Sequence, residues 1–182
     1  MSVTYLFLAQ GFEEMEAIAV IDVLRRGGVD VRTVSINDQL EVTGAHQVAV
    51  RADLSLNELR AEEAECLVFP GGLPGAQHLG ECGRLIELMQ QHYEKGKWLA
   101  AICAAPALVL SQLETREKLR LTCYPGFEEY LPACEVLADG VVVSGKVITG
   151  KGPGFAVKFG LTVLEHLRSA AVAREVAAGM LL

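Results

Sequence analysis

The chain has 182 residues, 51% of them hydrophobic and 21% charged, so it is long enough to bury a core and too apolar to be disordered. Asp and Glu outnumber Lys and Arg by 23 to 16, which gives a formal net charge of −7. Because basic residues form no run interleaved with aromatics, we expect no phosphate-tracking groove and no sequence-specific binding of nucleic acid.

Strand and helix patterns alternate through the first half of the chain. In order, they predict a strand at 3–9, a helix over Glu14–Arg26, a strand at 29–36, a hairpin at 40–50 turning near Gly44, and a strand at 65–69 ending in Pro-Gly-Gly. The first helix has apolar residues at every third or fourth position. Gly27 and Gly28 end it as a C-cap would.

The alternation continues in the second half. The pattern predicts a helix over Arg84–Lys95, a strand at 97–103, a helix over Ala104–Leu113, short strands near 135–138 and 141–149, a helix over Pro153–Leu167 and a last helix over Ala170–Met180. Strands separated by helices indicate an α/β fold, with a mainly parallel sheet covered by helices on both faces. We predict one domain over 1–182.

The N-terminus and the cysteines predict the cellular compartment of the protein. No basic region precedes the apolar run at 3–9, so a signal peptide is not expected, and no segment approaches the roughly 20 apolar residues of a membrane span. The cysteines are odd in number and lack a Cys-x-x-Cys pair: Cys66, Cys82, Cys103, Cys123 and Cys134. We therefore predict a cytoplasmic protein with no disulfide framework, metal or cofactor.

Three unusual segments follow predicted strands: "QGFEEMEA", "FPGGLPGA" and "ICAAP". In an open parallel sheet, ligands bind outside the carboxyl ends of the strands. We therefore expect the three segments to meet at one cleft. Each segment alone would be weak evidence.

Cys103 ends a predicted strand and precedes a predicted helix whose first turn contains Pro106. A thiol at that position would face unpaired amide groups and the positive end of the helix dipole, which favour the reactive thiolate. The alternative is a packed core cysteine, a common role for this residue type. The local pattern leaves both interpretations open.

The glycines and acids nearby also have two interpretations each. Gly71 and Gly72 would either form a tight turn or place a backbone N–H, together with that of Ala104, toward a substrate oxygen. Glu13, Glu14 and Glu16 in a first helical turn would either face solvent or include one inward carboxyl that exchanges protons with the thiol. The spacing does not select one glutamate.

The four histidines give no pattern that would activate a cysteine. His92 and His166 lie in charge-rich helical stretches and are expected to be solvated. His78 follows the Pro-Gly-Gly turn and would be near the cleft. No His-x-Glu follows Cys103, as an amidotransferase-like triad would require.

The segments "GFEEMEA", "VFPGGLPGAQHL", "AAICAAPA" and "GKGPGF" occur here in the order and spacing of the ThiJ/PfpI (DJ-1) superfamily, and the sequence resembles its YajL-like branch most. The resemblance implies a flavodoxin-like homodimer, with Met15 near the subunit interface. It implies Cys103 as nucleophile on a strained elbow, Glu16 as its protonated partner, and the Gly72 and Ala104 amides as oxyanion donors, with Gly71 supporting the turn.

The resemblance also implies several activities. These are glutathione-independent conversion of methylglyoxal to lactate, and removal of early glyoxal adducts from proteins or nucleotides. The alternatives are oxidative-stress sensing through the cysteine and holdase-type chaperone activity. A peptidase or amidotransferase-like hydrolase is a further alternative, and it would need His78 or His46 beside Cys103.

Three positions depart from the pattern of the superfamily. Tyr124 stands where relatives often have a histidine, His46 where they often have an arginine that reaches across the dimer, and Phe155 where the usual Gly-Pro-Gly-Thr ends. Because Cys103 and Glu16 are retained, we expect these differences to change substrate choice and rate more than the class of reaction.

Overall fold

The computed structural model describes residues 2–115 and 118–182, which form eleven strands and six α-helices. The strands are β1 (Val3–Leu8), β2 (Val31–Ser35), β3 (Glu41–Thr43), β4 (Ala49–Arg51), β5 (Leu54–Ser55), β6 (Ala64–Phe69), β7 (Trp98–Ile102), β8 (Arg120–Leu121), β9 (Glu135–Val136), β10 (Val141–Ser144) and β11 (Val147–Gly150). The helices are α1 (Glu14–Arg26), α2 (Gly75–Glu81), α3 (Gly83–Glu94), α4 (Ala105–Leu108), α5 (Ala156–Leu167) and α6 (Ala170–Gly179).

The main sheet has seven strands in the order β10-β11-β7-β6-β1-β2-β5. Every neighbouring pair is parallel except the hairpin of β10 and β11. From β1 the chain crosses to β2 toward the β5 edge of the sheet, and from β6 it crosses to β7 toward the β10 edge. Because such crossovers are right-handed, α1 and the pair α2–α3 cover opposite faces. The predicted α/β fold with a mainly parallel sheet is confirmed.

Strand burial agrees with this layered arrangement. All six residues of β1 are buried, and so are all residues of β7 except Trp98, which is half-buried. Parallel strands between two helical layers need apolar side chains on both faces. On one face, α1 packs against α5 and α5 against α6, while α2 contacts α3 and α4.

Helix α1 has the predicted bounds, and both of its ends are capped. The Glu13 carboxylate accepts a hydrogen bond from the Glu16 N–H at 2.8 Å, and the Gly27 N–H reaches the carbonyls of Val23 and Arg25. These bonds satisfy backbone groups that a helix end leaves unpaired. The first cap also fixes the orientation of the turn that carries Glu16.

Several predicted elements differ in length. The helix predicted over Ala104–Leu113 is one α-turn, α4, followed by a 3₁₀ turn at Leu110–Gln112. The hairpins at 40–50 and 141–149 are confirmed, whereas the two-residue strands β5 and β8 and the helix α2 were not predicted. None of the described helices combines the length and the apolar character needed to cross a membrane. The single domain over 1–182 stays a prediction.

Candidate active site

The loops that follow β1, β6 and β7 meet at one edge of the sheet, because these strands are adjacent and parallel. The chain leaves β1 toward β2 on one side, and β6 lies on the other side of β1. The direction of winding therefore reverses between β1 and β6, and α/β proteins bind ligands at such a switch point. The expected convergence of the three segments is confirmed.

Cys103 forms a sharp turn between β7 and α4. Its φ of +64° is a left-handed conformation that non-glycine residues rarely adopt. Its own backbone N–H donates to the Gly150 carbonyl at 2.9 Å, and its carbonyl accepts from the Tyr124 N–H at 2.8 Å. Two neighbouring segments thus hold the strained backbone in place, and the side chain is 8% exposed.

Glu16 lies in the first turn of α1 and is fully buried. Its Oε2 accepts a hydrogen bond from the Gly71 N–H at 2.8 Å. Its Oε1 is buried with no hydrogen-bond partner among the described residues. A buried carboxylate oxygen without a partner is costly, so this environment favours the protonated carboxyl.

Gly71 lies between the thiol and the carboxyl. A β-carbon on Gly71 would be 2.5 Å from Cβ of Cys103, 2.7 Å from Oε2 of Glu16 and 3.0 Å from Sγ of Cys103. Real β-carbons essentially never approach other atoms that closely. The lack of space therefore requires a glycine at position 71. Backbone conformation does not, because the φ of Gly71 is not positive.

The backbone N–H groups of Gly72 and Ala104 lower the pKa of the Cys103 thiol, against the larger effect of burial. Gly72 has a φ of +87°, and a β-carbon there would be 2.7 Å from the Gly11 carbonyl oxygen. Two amide donors beside one sulfur stabilise negative charge on it or on an oxygen bound next to it. Their role as oxyanion donors stays a prediction.

Burial raises the pKa of the Cys103 thiol to about 12, with the Glu16 charge as the next cause. Burial also raises the pKa of Glu16 to about 7, against the hydrogen bonds from Gly71 and Cys103, which lower it. The site therefore favours a single negative charge shared by two groups. The nearby amides lower the thiol pKa in the expected direction, but desolvation is the larger effect, so the pKa is raised overall.

The chain is similar to known proteins over nearly its whole length. The profile of the DJ-1/PfpI family matches residues 2–166. The chain belongs to the DJ-1/PfpI family. It is 38% identical over 161 residues to Protein DJ-1 homolog B of Arabidopsis thaliana, covering 88% of this chain and 37% of that protein. A second relative from the same plant, Protein DJ-1 homolog A, is matched over 45% of its length. The chain thus spans less than half the length of these two relatives.

Two further DJ-1/PfpI relatives match over most of their length. The glutathione-independent glyoxalase DJR-1.2 of Caenorhabditis elegans is 34% identical over 157 residues, covering 85% of this chain and 82% of that protein. The structure of oxidized DJ-1 from Toxoplasma gondii superposes with a TM-score of 0.94 at 34% identity, covering 100% of this chain and 98% of that one. The YajL-like branch within the family stays a prediction.

Glu13 and Glu14, the other two acids of the family's "EEME" segment, bond to groups outside the thiol pocket. Glu13 caps α1, and Glu14 accepts from the His46 N–H at 2.6 Å and contacts the His46 ring Nδ1 at 2.9 Å. Burial disfavours the charged form of Glu14, but its bonds with His46 outweigh this and lower its pKa. The structure thus distinguishes Glu16 from its neighbours, which spacing did not.

His46 does not join the thiol. It is exposed in the turn between β3 and β4, and its pKa is raised by its hydrogen bond and charge interaction with Glu14. Glu13, Glu14 and His46 each offer one ligand atom, and these atoms lie within 4.8 Å of one another, a spacing that would suit a metal ion. The His46–Glu14 hydrogen bonds and the Glu13 cap on α1 account for the positions of these side chains.

The other histidines also bond elsewhere among the described residues. His78 Nδ1 contacts the Gln10 carbonyl at 3.1 Å, and His166 Nδ1 contacts the Thr162 carbonyl at 2.9 Å. His92 is buried, so its predicted solvation is wrong. Its Nε2 contacts the Trp98 carbonyl at 3.1 Å. No histidine in the described part of the DJ-1/PfpI domain is hydrogen-bonded to Cys103.

Tyr124 adjoins Cys103 through its backbone, while its ring is 45% exposed. Phe155, at 39% exposed, lies on the segment that follows β11. The end of β11 supports the elbow through the Gly150 carbonyl, a contact that the residue patterns did not predict. The "GKGPGF" motif that begins at Gly150 was the available signal.

Proposed function

We propose that this protein is a cysteine-dependent enzyme of 2-oxoaldehydes that converts methylglyoxal to lactate without glutathione. The observation that carries the proposal is the meeting of Cys103, Glu16 and the Gly72 and Ala104 amides at the switch point of the sheet. A nucleophile, a proton carrier and paired amide donors are the groups that this reaction needs. The glyoxalase name of the Caenorhabditis elegans relative supports the same activity.

The reaction starts with proton transfer from the Cys103 thiol to ionised Glu16. The transfer keeps one negative charge in the pocket. Burial disfavours that charge on sulfur, and the Gly72 and Ala104 amides partly offset this cost. The thiolate then adds to the aldehyde carbon, forming a C–S bond and an oxyanion. Because the pKa of Glu16 is raised to about 7, its carboxyl is close to the optimum for giving and taking protons near neutral pH.

The remaining steps isomerise and release the product. Glu16 gives its proton to the oxyanion, and its carboxylate then takes the hemithioacetal C–H proton, whose electron pair forms an enediolate. Glu16 returns the proton to the former ketone carbon while the hydroxyl proton moves to the neighbouring oxygen. This gives a thioester of Cys103 and a 2-hydroxy acid. Water then attacks the thioester, the C–S bond breaks, and lactate and the thiolate separate. The net change is addition of one water molecule to methylglyoxal, without any redox partner.

The same nucleophile would attack the hemithioacetals and aminocarbinols of early glycation adducts on proteins or nucleotides. The measurement that distinguishes the two activities is product formation by NMR, with methylglyoxal and a freshly glycated peptide assayed side by side without glutathione. We expect lactate from methylglyoxal above the uncatalysed rate. Absence of lactate would contradict the proposal, and faster release from the peptide would make adduct repair the main activity.

A redox-sensing function is the second candidate. The two amide donors and a protonated Glu16 would also bind the oxygens of an oxidised Cys103. The Toxoplasma gondii relative was solved in an oxidized form. Holdase activity stays a prediction. A peptidase or amidotransferase-like activity is not proposed, because the described histidines bond to groups other than Cys103.

We also propose a cytoplasmic homodimer that uses the outer face of α1. Met15 and Ile18 are 62% and 45% exposed, and Val48 beside them is 53% exposed. The Val48 N–H donates to the Glu14 carboxylate at 3.4 Å, so the turn that carries Val48 lies against the first turn of α1. Sedimentation should show a dimer at micromolar concentration that Met15→Glu dissociates. A wild-type monomer would contradict this assembly.

A further inference from the structure

An apolar pocket borders the elbow that holds Cys103. Its walls are Tyr124 and Pro125 on one side and residues 151–155 on the other. The elbow is bonded to the first wall and to the residue that precedes the second, since the Tyr124 N–H donates to the Cys103 carbonyl at 2.8 Å and the Cys103 N–H donates to the Gly150 carbonyl at 2.9 Å. The pocket therefore lies next to the backbone of the elbow that carries the nucleophile.

Two aromatic rings line this pocket. Tyr124 is 45% exposed and Phe155 39% exposed. The Tyr124 ring lies beside Gly152, where a β-carbon would be 3.3 Å from Cδ2, and a β-carbon at Gly140 would overlap the Phe155 ring. Glycines thus make space for both rings. Large apolar side chains kept at a surface beside a reactive group indicate a binding surface.

The size and polarity of the pocket indicate what it binds. Its volume is about 230 Å³, and its exposed lining is almost entirely apolar. An apolar cavity of about 150 Å³ is enough for benzene. The one charged side chain in the lining, Lys151, donates its Nζ to the Ala138 carbonyl at 3.0 Å. Its ammonium group is thus already hydrogen-bonded to the protein backbone and is not needed to bind a substrate.

We propose that this pocket binds an aromatic substituent on the 2-oxoaldehyde, and that Tyr124 and Phe155 determine this specificity. The inference rests on the proposed function, because it names the substrate class of the same nucleophile. Aromatic groups gain from contact with aromatic side chains in addition to the area they bury. A methyl substituent has much less apolar area to bury than a phenyl ring, so methylglyoxal would gain little from the pocket.

The test compares kcat/KM for phenylglyoxal and methylglyoxal in wild type, Tyr124→Ala and Phe155→Ala. We expect wild type to prefer phenylglyoxal by about tenfold, and each variant to lose most of that preference. Tyr130→Ala is the matched control, because Tyr130 is 50% exposed and lies outside the pocket lining. Its preference should equal that of wild type. Unchanged ratios in both pocket variants would overturn the proposal.

A binding measurement separates this inference from the proposed function. Mandelate and lactate are the hydroxy acids that the reaction would form from the two aldehydes. We expect mandelate to shift the amide NMR signals of Tyr124 and Phe155 in Cys103→Ala, and Phe155→Ala in the same background to abolish binding. If wild type turns over neither aldehyde but mandelate binds in this way, the proposed activity is wrong and the assignment of the pocket is supported. If mandelate binds no better than lactate, the pocket assignment is wrong.

Discussion

Cys103 and Glu16 come from different strand ends and meet beside the α-carbon of Gly71. A β-carbon at Gly71 would lie 3.0 Å from the sulfur and 2.7 Å from the carboxyl Oε2. The Glu16 charge raises the pKa of the Cys103 thiol, whereas the hydrogen bond from Cys103 lowers the pKa of Glu16 against the effect of burial. The pair therefore holds one proton between two buried groups, and this sharing is the basis of the proposed chemistry.

Glu16→Gln should separate proton transfer from thiolate stability. Glutamine keeps the size of the side chain but carries no charge, so the Cys103 pKa should fall because one of the causes that raise it is lost. Activity should nevertheless fall about 100-fold, because the proton carrier is missing. Thiolate absorbance measured against pH, with kcat/KM for methylglyoxal, gives both quantities. A variant within threefold of wild type would exclude Glu16 as the proton carrier.

The same carboxyl should make stability depend on pH. Glu16 has a folded pKa of about 7, against an ordinary value of 4.5 for a solvated glutamate. Between these values the unfolded chain has lost the proton that the folded chain keeps. The contribution of Glu16 to the free energy of unfolding should therefore fall by about 3 kcal/mol as the pH rises from 4.5 to 7.

His92 opposes this trend in nearly the same pH range. Burial, with the nearby Lys97 charge, lowers the pKa of His92 to about 4, so its contribution to stability grows as the pH rises from 4 to 6.5. The measurement is therefore the difference between wild type and Glu16→Gln in urea unfolding across this range. A difference that does not change with pH would show that the Glu16 pKa is not raised.

Gly71→Ala should disrupt the site through space alone. The new methyl group would lie 2.5 Å from Cβ of Cys103, so the elbow or α1 must move. We expect a loss of about 1–3 kcal/mol in unfolding free energy, together with loss of activity. Gly83→Ala is the matched control, because a β-carbon there meets no atom within 4 Å. Equal stability of the two variants would contradict the packing described here.

Sequence patterns predicted the long elements and the place of the site, but not its electrostatics. The amphipathic repeat and Gly27 located α1 because both signals are local. Alanines and Pro106 favoured a long helix after Cys103, whereas the chain forms one α-turn and then a 3₁₀ turn. Two-residue strands such as β5 are too short for periodicity to be detected.

The choice of Glu16 depended on information that spacing does not contain. Glu13, Glu14 and Glu16 share one helical turn, and their partners are the helix N-terminus, the β3–β4 turn and Gly71. Those partners come from distant parts of the chain, so the residue patterns alone could not assign them. The raised thiol pKa was missed for the same reason, since burial is set by tertiary packing.

Peroxide should modify Cys103 before the other cysteines. Desolvation raises the pKa of both thiols, but Cys66 is fully buried, whereas Cys103 has amide donors and an adjacent carboxyl to take its proton. Mild peroxide followed by peptide mass spectrometry should show two added oxygens on Cys103 first. Initial oxidation at any other cysteine would contradict the redox-sensing candidate.

The most direct test of the central claim is kcat/KM for methylglyoxal in Cys103→Ser, measured without glutathione. Cys82→Ser is the matched control, because Cys82 is half-buried at the start of α3, where serine is a favourable N-cap. We expect Cys103→Ser to lose activity by about 1,000-fold or more and Cys82→Ser to retain it. Full activity in folded Cys103→Ser would show that Cys103 is not the nucleophile.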